Sequence, residues 1–325
     1  MKRILITGTR GYVGTSLAAY LAQWPERYET AFVSLRDETW QSSSWQGYDV
    51  LFHAAGIAHQ PHAPAALYDR VNRALTEQVA VKAKRDGIGK FILISTMAVY
   101  GVEDRIGRKN EIGIDSVPAP RSPYGKSKLA AEAAALELGD ARFAVNVVRA
   151  PMVYGPRCPG NYAKLRRLTL RFGLIPDMAN ERSMIYIDHL CEYIRLLIDG
   201  EHERAFSRRD GEHVRAFSPQ GGENERTFSP QDSEHAGIFC PQDGEYACTA
   251  SLMAWIAAAH GRPVRRSRLL GLGVKSAGAF LPGLRKAFGN LTCDRSLSVI
   301  PCADYCRLRT RETIRETEAE LRKYF

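Results

Sequence analysis

A tyrosine and a lysine four residues apart carry the first chemical signal, in Tyr124-Gly125-Lys126-Ser127-Lys128. On a helix that spacing puts both side chains on one face, so an ammonium lies beside a phenol. A free phenol titrates at about 10, too high to take a proton at neutral pH, and a neighbouring cation favours the phenolate. Alone, the pair is common on solvated helix faces. It gains weight from Ile94-Ser95-Thr96-Met97-Ala98-Val99-Tyr100-Gly101, where two hydroxyls end an apolar run that reads as a buried strand. Ligands of open α/β sheets bind at the carboxyl ends of strands, which is where these hydroxyls would meet the phenol.

The third signal is Thr7-Gly8-Thr9-Arg10-Gly11-Tyr12-Val13-Gly14, between the first apolar run and a helical pattern. Gly8 permits the tight turn, Gly11 lets the backbone approach a pyrophosphate at the helix N-terminus, and Gly14 allows close helix–strand packing. This predicts dinucleotide binding, with Tyr12 and Val13 inside the binding turn. The acidic residue that would hold an adenosine ribose is not cleanly present, because the next strand ends Val33-Ser34-Leu35-Arg36-Asp37. Asp37 serves if that strand is long, which favours NAD. Arg36 would instead accept a 2′-phosphate and favour NADP.

These groups need a scaffold, and apolar runs at 4–7, 31–35, 50–53, 91–95 and 144–148 read as its buried strands. Between them lie helical patterns. One has Val13, Leu17, Leu21 and Trp24 on one face, and others cover 72–85 and 124–138. Further on, a strand is expected at 183–187, then a helix opened by Asp188, a helix over 249–260 ended by Gly261, and a closing helix over 311–325. Alternation of this kind argues for a parallel sheet covered by helices.

Residues 200–243 break the pattern with four units of eleven residues, GEHERAFSRRD, GEHVRAFSPQG, GENERTFSPQD and SEHAGIFCPQD. Gly and Pro in most copies forbid a continuous helix. Only Gly237-Ile238-Phe239-Cys240 in the last copy reads as a core strand, which makes the others extra copies in a polar surface loop. The alternative is that the copies pair as added edge strands and recruit a partner.

The whole chain of 325 residues carries a net charge of +9, but the 281 residues outside the repeats hold 40 Lys and Arg against 27 Asp and Glu. Such an excess attracts anionic partners without choosing among nucleic acid, lipid or a phosphorylated metabolite. Seven cysteines with no C-x-x-C pair suit free thiols, and with no signal-peptide pattern a cytoplasmic protein is expected. His53, His59 and His62 do not have the setting of a metal site, and no metal is expected. No recognition helix, zinc pattern or aromatic platform supports nucleic-acid binding.

In order along the chain stand the glycine triplet, His53-Ala54-Ala55-Gly56, Asn72, Ser95-Thr96-x-x-Val99-Tyr100-Gly101, Ser122-Pro123-Tyr124-Gly125-Lys126-Ser127-Lys128 and Arg149-x-x-x-x-Tyr154-Gly155-Pro156. That series resembles the extended short-chain dehydrogenases/reductases, and within them the NAD-dependent nucleotide-sugar epimerases similar to UDP-glucose 4-epimerase. The likeness covers about residues 1–200 and resumes at Gly237. It implies an α/β fold with a Rossmann-type doubly wound parallel sheet at 1–155, returning near 183–199, and a smaller substrate domain at 156–325 that contains the repeats.

The resemblance implies that Tyr124 is the catalytic base and acid. Lys128 would bind the nicotinamide ribose and lower the Tyr124 pKa. Thr96, rather than Ser95, would bridge the sugar hydroxyl and Tyr124. NAD, with NADP as the other candidate, would lie on Gly8, Gly11, Tyr12, Val13, Gly14, Arg36, Asp37, His53, Ala54, Ala55, Gly56, Asn72, Tyr124 and Lys128. Asn161 and Arg182 match positions that hold a substrate diphosphate, and a homodimer is expected. The implied reaction removes the C4 hydroxyl proton of a sugar with hydride transfer, then returns the hydride to the other face of a 4-keto intermediate.

Related 4,6-dehydratases resemble Thr-Asp-Glu where this chain has Thr96-Met97-Ala98, and neither Met nor Ala can be an acid or base. Dehydration is therefore not expected. The Asn that precedes Tyr-Gly-Pro in relatives is Met152 here, which removes one polar contact to the substrate. The motifs look most similar to the branch found in polysaccharide and O-antigen gene clusters, some of whose members act on sugars linked to polyprenyl diphosphate. Arg262, Arg265, Arg266, Arg268, Lys275, Arg285 and Lys286 lie among Leu269, Leu270, Leu272, Phe280, Leu281 and Phe288. This stretch suits either a solvated basic face or a peripheral contact with an anionic membrane at the inner face.

The sequence thus leads to an NAD-dependent sugar 4-epimerase acting on UDP-glucose, UDP-N-acetylglucosamine or a polyprenyl-diphosphate sugar. An NADPH-dependent 4-keto-sugar reductase and a non-catalytic dinucleotide sensor are the alternatives.

Overall fold

A computed structural model describes residues 1–58, 63–101, 106–113, 115–200, 236–278, 280–298 and 304–323. His59, His62, Tyr324 and the repeats between Gly200 and Ala236 lie outside the described residues. The chain opens with β1 (Lys2–Thr7), α1 (Tyr12–Leu21), β2 (Tyr28–Val33), the single turn α2 (Thr39–Ser42) and β3 (Val50–His53). Helix α3 (Ala65–Tyr68) runs through a π-helical turn at Asp69–Ala74 into α4 (Leu75–Arg85). Then come β4 (Lys90–Thr96), a 3-10 turn at Met97–Tyr100, β5 (Glu111–Ile112), α5 (Pro123–Leu136) and β6 (Ala144–Ala150).

The second half contains β7 (Met152–Tyr154), α6 (Asn161–Arg171), β8 (Leu174–Pro176), β9 (Met184–Tyr186) and α7 (Ile187–Asp199). Past the repeats come β10 (Ala236–Phe239), α8 (Thr249–Ala259), β11 (Arg265–Ser267), α9 (Arg268–Ala277), α10 (Pro282–Phe288), β12 (Thr292–Cys293) and α11 (Thr310–Arg322).

One parallel sheet in the order β10-β6-β4-β3-β1-β2 forms the scaffold. Its strands read as unbroken apolar runs because both faces are covered. Ile4, Ile6, Phe52, Ile92 and Val148 pack toward Leu17 and Leu21 of α1 and the buried α7. Leu5, Leu51, Phe91, Leu93, Val145 and Val147 face Val79, Ala80 and Ala83 of α4 and Ala135 of α5. The chain leaves β1 toward β2 on one side and later crosses to β3 on the other, so the loops after β1 and β3 part there and open a crevice at the carboxyl edge.

Three short two-stranded sheets, β7 with β9, β8 with β11 and β5 with β12, build a smaller layer beside that edge. The strand expected at 183–187 is β9, which pairs with β7 instead of joining the main sheet. Asp188 does not open α7, because Tyr186 holds the cap position and Asp188 lies in the first turn, where burial raises its carboxyl pKa. The return to the main sheet includes β10, inside the stretch 156–325 that the sequence assigns to the smaller lobe.

The last repeat unit does join the core, as the outermost strand β10 followed by a buried hub. Gln242 donates from Nε2 to the carbonyls of Cys293 (2.9 Å) and Asp294 (3.2 Å) and accepts from Ser183 at 2.5 Å. Asp243 accepts from the Tyr186 amide (3.0 Å), His189 Nδ1 (2.8 Å) and the Tyr154 hydroxyl (2.7 Å). Four separate elements are tied to one Pro-Gln-Asp turn, and this is why that copy is structural. No helix among the described residues is long and apolar enough to cross a membrane.

Candidate active site

At the end of β1 the backbone turns on Gly8, whose φ of 87° lies in the left-handed region that glycine adopts freely. Gly11 precedes α1, which has no side-chain cap and no acidic residue in its first turn, so its first N–H groups remain for an anion. A side chain at Gly11 would meet nothing within 4 Å, while one at Gly14 would approach Ile6 at 3.1 Å. Open space above Gly11 and tight packing under Gly14 fit a dinucleotide whose pyrophosphate rests on the helix N-terminus. Tyr12 turns away from the mouth, with its hydroxyl buried and without a hydrogen-bond partner among the described residues. A Cβ at Gly155 would lie 2.8 Å from that hydroxyl, so the Tyr154-Gly155-Pro156 turn packs directly on Tyr12.

His53 is fully buried and acts from behind the loops. The Thr7 hydroxyl accepts from the Ala54 and Ala55 amides at 3.1 and 3.2 Å, so its proton goes to His53 Nδ1 at 2.9 Å. The Thr76 hydroxyl donates to the Asn72 carbonyl at 2.6 Å and receives His53 Nε2–H at 2.9 Å. This one-way chain fixes the Nε2–H tautomer. Burial, reinforced by Lys128, pushes the ring's pKa down to about 3, so it is neutral. Asn72 is likewise saturated: its amide donates to the Ile57 carbonyl and Ser127 (both 3.0 Å) and accepts from the Ile57 amide (2.9 Å). Both residues were expected at the cofactor. The structure instead has them brace the 54–57 loop, so the loop backbone is what faces the crevice. Nothing in the sequence ties Thr7, the first residue of the glycine motif, or Thr76 to His53, because only the fold brings them there.

Strand β2 ends at Val33, so the long strand that would bring Asp37 to a ribose does not form. Asp37 accepts from the amide of Thr39 at 3.0 Å and from its hydroxyl, bonds that hold its carboxyl pKa low while the group stays exposed. Arg36 is exposed next to it.

The reactive set gathers at the end of β4. Ser122 caps α5 by accepting from the Gly125 amide at 3.0 Å, and Pro123 starts the helix with its preset φ. Thr96, whose hydroxyl accepts from the Ala98 amide at 3.2 Å, stands near enough to Tyr124 to pull the phenol's pKa down. Ser95 points elsewhere and donates to Glu132, which is buried with Arg149 at 2.6 Å. Arg149 extends the network to the Tyr100 hydroxyl at 2.9 Å, and Tyr100 meets Cys240, just past β10, at 3.9 Å. A buried ion pair of this kind fixes where β4, α5 and β6 lie relative to one another. Its acid, Glu132, went unread because one Glu on an Ala-rich helix carries no signal of its partner.

Lys128 departs from expectation. Its Nζ donates to the Ile94 carbonyl at 2.6 Å, and burial lowers its pKa to about 8, with Glu132 acting the other way. The Tyr124 pKa is raised, first by burial, and the downward pull comes from Thr96. The expected depression of the phenol by the ammonium is therefore not what this structure shows. The two remaining N–H groups of Lys128 suit ribose hydroxyls.

Of the diphosphate candidates, Asn161 is exposed as the first residue of α6, a helix of eleven residues with no side-chain cap. Arg182 is only 8% exposed and donates from Nη1 to the carbonyls of Lys286 (2.6 Å) and Gly289 (3.3 Å). It caps the carboxyl end of α10, which is a structural task where an open phosphate clamp was expected. Met152 packs on the core from β7.

A glycine loop on a helix N-terminus, beside a Tyr–Thr–Lys set on a parallel sheet, defines a dinucleotide-dependent enzyme site. The model of the NAD dependent epimerase/dehydratase family matches residues 4–207. The chain belongs to that family and is an NAD-dependent enzyme of the sugar epimerase class.

It is 31% identical to the UDP-glucose 4-epimerase of Vibrio cholerae, over 64% of this chain and 69% of that one. It is 25% identical to the N-acetyl-alpha-D-glucosaminyl-diphospho-ditrans,octacis-undecaprenol 4-epimerase of Escherichia coli O157:H7, over 59% and 62%. Identity to the GDP-6-deoxy-D-mannose reductase of Pseudomonas aeruginosa is 29%, over 63% and 74%. The solved structure of MoeE5 with UDP-glucose and NAD shares the fold with a TM-score of 0.66 at 20% identity, covering 99% of each chain.

Proposed function

We propose that this enzyme inverts C4 of a sugar carried on a diphosphate, either a UDP-sugar of the glucose or N-acetylglucosamine type or a polyprenyl-diphosphate sugar, in surface polysaccharide synthesis. The observation that carries the reading is the Thr96 hydroxyl set beside Tyr124 at the carboxyl end of β4, followed by Met97 and Ala98. Tyr124 takes the C4 hydroxyl proton and gives it back. Thr96 orients that hydroxyl and helps the phenol ionise, and Lys128 holds the ribose side of the site. The Gly8–Gly14 loop would hold NAD, which would supply reversible hydride transfer at C4. Without a carboxylic acid at residues 97 and 98, these positions offer no group to expel water from the ring, which argues against dehydration. Asn161, at the open N-terminus of α6, receives the diphosphate.

The curated relatives include a 4-epimerase of each carrier class, and the carrier is settled by assay. UDP-glucose, UDP-N-acetylglucosamine and a polyprenyl-diphosphate N-acetylglucosamine are followed by NMR with NAD and no reductant. C4 inversion of any one supports the reading. A reductase relative at 29% identity favours one second outcome: no inversion in that assay, with consumption of NADPH in a separate assay on a 4-keto sugar, would replace it.

A further inference from the structure

Among the described residues, eleven large apolar side chains are exposed, and seven of them lie in two adjoining segments: Leu168, Phe172 and Leu174, then Leu269, Leu272, Phe280 and Leu281. Phe280 is 85% exposed and Leu269 82%, values that no packing requirement explains. The segments adjoin because β8 pairs with β11, placing Leu174 opposite Arg265, and because the Arg265 amide donates to the Gly173 carbonyl at 2.9 Å.

Both segments are also basic. Residues 161–176 and 262–286 contain eleven Lys and Arg and no Asp or Glu. The nearby Asp177 lies 3.7 Å from Arg266 and 3.9 Å from Arg268, and both arginines remain largely exposed. The apolar side chains stand on ordered backbone: α9 turns Gly271 and Val274 inward and leaves Leu269 and Leu272 outward. The amides of Phe280 and Leu281 both donate to the Ala277 carbonyl, at 3.0 and 2.9 Å, which fixes the turn that carries them.

We infer that this face of the smaller lobe docks on an anionic lipid bilayer, with Leu269, Leu272, Phe280 and Leu281 entering the headgroup–acyl boundary and the surrounding arginines meeting lipid phosphates. Single apolar residues raised on ordered turns, in a face whose cations far outnumber its carboxylates, are the pattern of an interfacial anchor on anionic lipid. The inference stands whichever carrier the enzyme uses, because it concerns a surface and not the catalytic set.

The test is sedimentation of the full-length protein with vesicles of phosphatidylglycerol and phosphatidylethanolamine, against vesicles of phosphatidylcholine. Binding is expected to the anionic vesicles only, and to fall about tenfold or more in Leu269→Ser/Phe280→Ser/Leu281→Ser, with the thermal midpoint unchanged. Phe280→Trp should show a blue shift on the same vesicles. If the triple variant unfolds, the single tryptophan variant still decides. No binding at low salt, binding that ignores the loss of the apolar residues, or a dimer that dissociates in the triple variant would each overturn the docking surface. Turnover of a soluble UDP-sugar by Phe280→Trp reports separately on the reaction, so failure there is distinct from failure to bind lipid.

Discussion

The two halves of this molecule place their exceptions on opposite sides of the protein surface. The sheet half buries charge and polarity: Lys128, His53 and the Glu132–Arg149 pair all lie within it, almost inaccessible. The smaller lobe exposes apolar groups, Leu269, Leu272, Phe280 and Leu281. Buried polar groups cost desolvation and are kept only where every partner is in place, so they set positions accurately. Exposed apolar groups lose free energy in water and gain it on contact with something else. The first pattern belongs to chemistry that depends on geometry, the second to a surface that meets a partner.

Tyr124→Phe tests the chemical half most strongly. It removes the only hydroxyl able to exchange the C4 proton in this reading, so kcat should fall by about 10²–10⁴ while the circular dichroism spectrum stays the same. An unchanged kcat would refute the assigned base. Next comes the buried pair. Glu132→Ala removes the carboxylate buried against Arg149 and should cost about 3–5 kcal/mol in urea unfolding. A cost below about 1 kcal/mol would mean that the network is not what fixes β4 against β6.

Lys128→Met should move stability and activity in opposite directions. With a folded pKa of about 8, below the usual lysine value, the protonated amine is penalised at neutral pH, and stability rises with pH between about 8 and 10.5 because the unfolded chain binds more protons there. The variant should lose that slope and gain about 1–3 kcal/mol at pH 7 while turnover falls. A destabilised variant would show that the Ile94 hydrogen bond outweighs desolvation.

His53 gives a slope on the acid side. Its folded pKa of about 3 lies below the unfolded value of about 6.5, so its contribution is intact above pH 6.5 and is lost as pH falls toward 3. His53→Gln should flatten that part of the stability–pH curve, and equal slopes for the two proteins would contradict a neutral buried ring. A small effect is expected at Asp37. It stands beyond the end of β2, so Asp37→Ala should change the KM for NAD by no more than about threefold.

The repeat region repeats the contrast on a smaller scale. The last unit supplies Gln242 and Asp243 to the core, whereas deleting the 33 residues of three units should leave turnover and midpoint unchanged. Asp243→Ala leaves His189 and the Tyr186 amide short of an acceptor, while Tyr154 keeps Thr313 at 2.6 Å. It should cost several kcal/mol by thermal melting where the deletion costs almost nothing.

By itself the sequence determined the parallel sheet, the glycine turn and the Tyr124–Lys128 face, because each is written in a local period: apolar runs, glycines at fixed spacing, side chains one helical turn apart. The last repeat unit was legible as a strand for the same reason. Only the tertiary structure decided that Ser95 turns to Glu132 and that Lys128 turns to Ile94. The same holds for His53 and Asn72 bracing a loop, and for Arg182 capping a helix. The reason is physical: a hydrogen bond between Thr7 and His53, or between Glu132 and Arg149, joins residues far apart in the chain. Its direction depends on which donor and acceptor the packed strands and helices bring within about 3 Å of each other.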